Sequence, residues 1–164
     1  MILKGIIHFN QNYTMKNIKL AGLLAFGLLL SLGAANAQTA STEKEHHDKL
    51  SENHKKGKEH ANAIASGQSK TKKEHKKHAA EVEKNLNKAK EHHAAIKKSH
   101  KGKNAESHEA IEKNHADADK HLKSLNEELN KPNPDDKKVK EHAKNHHDAI
   151  DKAHQEHEKL KKKG

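Results

Sequence analysis

Beyond residue 37 the chain carries only twelve large aliphatic side chains, most of them at alternating steps of three and four residues. That spacing lines them up on one face of an α-helix, so the segment either buries thin seams between helices or stays unfolded. Nothing thickens those seams, because both Phe, the single Tyr and both Met lie before residue 38 and the chain has no Cys. A helical fold without disulfides is therefore expected, and its core has to be narrow.

Three breaks divide the segment: "SGQS" at 66–69, "KGKN" at 101–104 and "KPNPDD" at 131–136. Helices are expected at about 42–65, 71–100, 105–130 and 134–162. Thr42 with Glu45 and Thr71 with Glu74 have capping-box spacing. Asn133 is the expected cap of the last helix, with Pro134 in its first turn.

The second helix places Ala79, Val82, Leu86, Ala89, His93, Ile96 and His100 on one seam. The third places His108, Ile111, His115, Ala118, Leu122, Leu125 and Leu129, a near mirror image about residue 104. These heptad seams predict an antiparallel hairpin, histidine-rich near its loop and aliphatic at the far end. The first helix offers His47, Leu50, His54, Gly57, Ala61 and Ile64. The last offers Val139, Ala143, His146 or His147, Ile150, Ala153 or His154, His157 and Leu160. Short connections make neighbouring helices antiparallel, hence an all-α, up-down-up-down four-helix bundle with a thin histidine-rich core. A partly disordered helical ensemble and a homo-oligomer that completes the seam are the alternatives.

Residues 1–37 read differently. Lys16 and Lys19 precede the apolar stretch Leu20 to Leu32, and "AANAQ" supplies small residues at Ala35 and Ala37. This is the pattern of a secretory signal peptide with cleavage before Gln38, and Met15 is the alternative start of translation. An exported protein, periplasmic or extracellular, is expected, with residues 38–164 as a single domain.

Charge narrows the function classes. All 33 basic residues are Lys, set among 23 acids, for a net charge of +10. Without Arg for bidentate contacts or aromatics for base stacking, specific nucleic-acid recognition is not expected. Weak attraction to anionic polymers or membrane surfaces is compatible with the charge. An enzyme is not expected either: there is no apolar pocket material, no Cys nucleophile and no Gly-rich phosphate loop.

Histidine is the remaining chemistry. The chain has 18, all but His8 after residue 37. Imidazole without thiolate suits Zn, Ni, Cu(II) and Co. Donors one helical turn apart occur at His142 and His146, at His147, Asp151 and His154, at His154 and His157, and at His75 and His78. Heptad registers for the whole bundle bring His47, His93, His115 and His154 into one layer, one ring per helix, with His100 and His108 nearer the loop. The expected function is an exported protein that binds or buffers divalent transition metals, with none of them obligatory. The alternative is a hydrophilic interaction, chaperone-like or stress-protective protein whose histidines respond to pH.

Overall fold

The structure is a computed structural model and describes residues 35–163. The expected leader lies outside the described residues, except that Ala35 to Ala37 form the start of the first helix. Four helices follow: α1 (Ala35–Ala65), α2 (Lys72–Ser99), α3 (Ala105–Asn130) and α4 (Asp136–Lys161). α1 and α3 each pack against α2 and α4, so the helices occupy the corners of a square, with α1 diagonal to α3. The protein is an all-α four-helix bundle, and no strand occurs among the described residues.

Local chemistry sets the helix ends. The Thr71 hydroxyl accepts from the Glu74 N–H at 3.2 Å, and the Glu74 carboxylate accepts from the Thr71 N–H at 3.1 Å, closing the capping box. Two expected starts need correction. α1 begins at Ala35, so Thr42 lies inside the helix instead of capping it; no Gly or Pro between them interrupts it. α4 is capped by Asp135, whose carboxylate accepts from the N–H groups of Lys137 and Lys138 at 2.9 and 3.3 Å, so Pro134 precedes the cap. Buried Glu128 holds this turn by accepting from the Asp135 N–H at 2.9 Å and from Lys131 Nζ at 2.6 Å. Between α2 and α3 the chain reverses through left-handed residues, with Gly102 at φ +85°.

The interior divides along the bundle axis. In the half away from the α2–α3 turn, an aliphatic cluster draws on Ile64 of α1, Val82 and Leu86 of α2, Leu122, Leu125 and Leu129 of α3, and Val139 and Ile150 of α4. In the other half only Leu50, Ala89, Ile96, Ile111 and Leu160 form an apolar cluster. Buried histidines fill the rest of that half.

Candidate metal centre

The α2–α3 hairpin brings its histidines together in the expected register. His100 Nδ1 lies 2.9 Å from His108 Nε2, and His108 Nδ1 lies 3.0 Å from His93 Nε2. The His93 ring meets the His115 ring edge-on, with centroids 5.8 Å apart. From His115 the chain of rings crosses the diagonal to His54 of α1, Nε2 to Nε2 at 2.8 Å, and continues to His154 of α4 at a centroid distance of 5.7 Å. A layer with one imidazole from each helix therefore exists, and its α1 member is His54. The expected member, His47, lies one heptad nearer the turn, stacked on His157 with Nδ1 2.8 Å from His157 Nε2.

Among the described residues, two groups of three donors lie within 4.8 Å of one another: His54, His154 and His157, and Glu43, His47 and His100. In the first group, His54 is 1 % exposed, and neither its Nδ1 nor that of His154 has a hydrogen-bond partner. An unpaired buried nitrogen is costly, so it points to a missing partner. When His54 Nε2–H donates to His115, Nδ1 presents a lone pair, which is the ligand tautomer, with His115 holding the ring from behind. Ser51 Oγ donates to Glu158 Oε1 at 2.9 Å and accepts from His157 Nδ1–H at 3.3 Å, so the His157 lone pair sits on Nε2, where it accepts from His47 Nδ1–H and an ion would have to take the place of that donor.

Burial keeps these rings uncharged. It pushes His54 well below the ordinary imidazole range, with the neighbouring rings of His115, His157 and His154 adding to the effect. Burial likewise takes His157 and His115 down to about 3 and His93 down to about 4. Neutral imidazoles are competent metal ligands with no proton to displace. In the second group, His100 Nε2–H donates to Glu43 Oε1 at 3.1 Å, and His47 Nε2 lies 3.9 Å from the same oxygen. One carboxylate with two imidazoles is a donor set for Zn(II) or Ni(II) once the His100 proton moves from Nε2 to Nδ1.

Three of the other expected chelates do not assemble. His147 Nδ1–H donates to its neighbour Asp148, while Asp151 accepts from Lys58 Nζ and Gln155 Nε2, both at 2.7 Å; only His154 of that trio joins a donor group. His146 faces inward and donates from Nδ1 to the Ala118 carbonyl at 2.9 Å, apart from half-buried His142. His75 Nε2–H donates to the Ser69 carbonyl at 3.1 Å, and His78 turns to α1. His154 and His157 do share a group, as their spacing suggests. Glu43 and His54 are the donors missing from the expected set. His54 carries a sequence signal, since it closes the stretch "HDKLSENH" that begins at His47; Glu43 has only its one-turn spacing from His47.

Among the described residues no helix is long and apolar enough to cross a membrane. Comparisons with protein-family models, characterised proteins and solved structures found no match.

Proposed function

We propose that this protein binds divalent transition metals inside its helical bundle, and that the expected leader directs it out of the cytoplasm to do so. The reading rests on one observation: two buried, unpartnered Nδ1 atoms, on His54 and His154, lie in one three-imidazole group. Zn–N bonds of about 2.0–2.1 Å put tetrahedral donors roughly 3.4 Å apart, so small side-chain rotations close the group around an ion. The ion links α1 to α4 where the core has few aliphatic side chains. Binding to the folded chain alone then adds about 2.7 kcal/mol of stability at free metal near 100 times Kd.

Calorimetric titration of the full chain with Zn(II), alongside thermal melts with and without a chelator, tests this. Metal should raise the melting temperature, and the H54Q/H154Q variant should bind at least about tenfold more weakly at the His54–His154–His157 group. A melting temperature indifferent to saturating metal would sink the reading in favour of the hydrophilic interaction class.

A further inference from the structure

The groove between α1 and α2 carries histidine pairs that belong to neither interior group. His46 of α1 faces His92 of α2 with Nδ1 atoms 3.1 Å apart and ring centroids 5.3 Å apart. Further along the groove, His60 meets His78 with the same Nδ1 separation of 3.1 Å and the same centroid distance of 5.3 Å. All four rings are half-buried, so each pair keeps an edge open to solvent.

This geometry suits chelation. Two nitrogens bound to one ion at about 2.0–2.1 Å stand about 2.9 Å apart at a right angle and about 3.4 Å apart at the tetrahedral angle. The observed separation falls between the two and is also that of an N–H···N hydrogen bond, so an ion enters once the donor ring moves its proton from Nδ1 to Nε2 and both Nδ1 lone pairs face it. Carboxylates lie close enough to act electrostatically on both pairs: Glu45 and Glu91 on the first, Glu74 and Glu81 on the second. Unlike a His-x-x-x-His chelate on one helix, each pair draws one ring from each of two helices and exists only once they are packed.

We infer that His46–His92 and His60–His78 are two surface clips, each taking one imidazole-preferring divalent ion, Ni(II), Cu(II) or Zn(II), across the α1–α2 groove. With two protein nitrogens and open coordination positions, the clips bind more weakly and exchange faster than a buried three-donor group. They also account for two of the three His-His dipeptides, at 46–47 and 92–93: the outer ring of each serves a clip, and the inner ring faces the core. The clips share no side chain with the interior groups and do not depend on them.

Ni(II) titration by calorimetry of the full chain separates the two classes. H46Q and H92Q should each lose about one weakly bound ion, the double variant should lose no more, and H60Q/H78Q should lose about one other. H54Q/H154Q should keep both weak ions while losing binding at the His54–His154–His157 group. Unchanged weak stoichiometry in the two double variants would overturn the clips and leave the interior reading standing. Partial losses that add between H46Q and H92Q would also overturn them, since a clip needs both rings. An unchanged number of tightly bound ions in H54Q/H154Q would overturn the His54–His154–His157 site alone. Helicity at 222 nm confirms that each variant is folded, and Gln is a good helix former.

Discussion

His146 is fully enclosed, and its imidazole has one partner, the Ala118 carbonyl, while Nε2 has none. Burial pushes it down to about 4. Well above pH 6.5 the ring is neutral in both folded and unfolded chains, so pH has no effect through it. Between pH 6.5 and about 4 the unfolded chain takes up a proton that the folded chain refuses, so stability falls as pH falls, by about 1.4 kcal/mol per pH unit at most. His146→Leu should remove that contribution while preserving bulk. Urea denaturation should show the loss between pH 7 and 5.5 reduced by about 1 kcal/mol or more, with stability at pH 7 unchanged or raised. An unreduced loss would show that His146 does not titrate this way. The residue scale is also where the sequence was least decisive, since His146 and His147 are adjacent and only packing selects the inward ring.

Among the elements, α1 and α3 repeat one pattern at the separation of the His54–His115 pair, 61 residues. Leu50 matches Ile111, Ala61 matches Leu122, Ile64 matches Leu125, and Gly57 matches Ala118. Gly57 is therefore the place where α1 lacks the methyl that α3 has. A Cβ added there would meet Asn85 Cβ at 3.8 Å, an ordinary contact. Gly57→Ala should stabilise the bundle by about 0.5–1 kcal/mol through helix propensity, measured by chemical denaturation. Thr71→Ala should cost about 1 kcal/mol in the same assay, because it removes the cap of α2. The α2–α3 hairpin was legible in the sequence because both seams run unbroken up to a short turn. The start of α1 was not, since capping-box spacing at Thr42 and Glu45 also arises within a continuous helix.

For the whole molecule, the histidine-rich half of the bundle makes the fold sensitive to acid. Several buried rings are held neutral well below pH 6.5, and each adds to the proton uptake that accompanies unfolding. Helicity at 222 nm should fall cooperatively between about pH 7 and 5, while a helical chain without buried histidine would stay flat across that window. Saturating Zn(II) should move the midpoint to lower pH, because metal and protons compete for the same nitrogens. A midpoint unmoved by metal would mean that the ion does not bind those rings.

The sequence by itself determined the helices, the breaks between them and the end of the bundle that holds histidine. These follow from local periodicity and from the shortage of aliphatic side chains, and they need no knowledge of distant contacts. Tertiary structure alone decided which donors meet. Sliding a helix by one heptad leaves its apolar residues facing inward, so the pattern could not say whether His47 or His54 joins His93, His115 and His154. Packing of the aliphatic layers across all four helices resolves that degeneracy in favour of His54. It also brings Glu43 beside His47 and His100, and sets His46 against His92 on the surface.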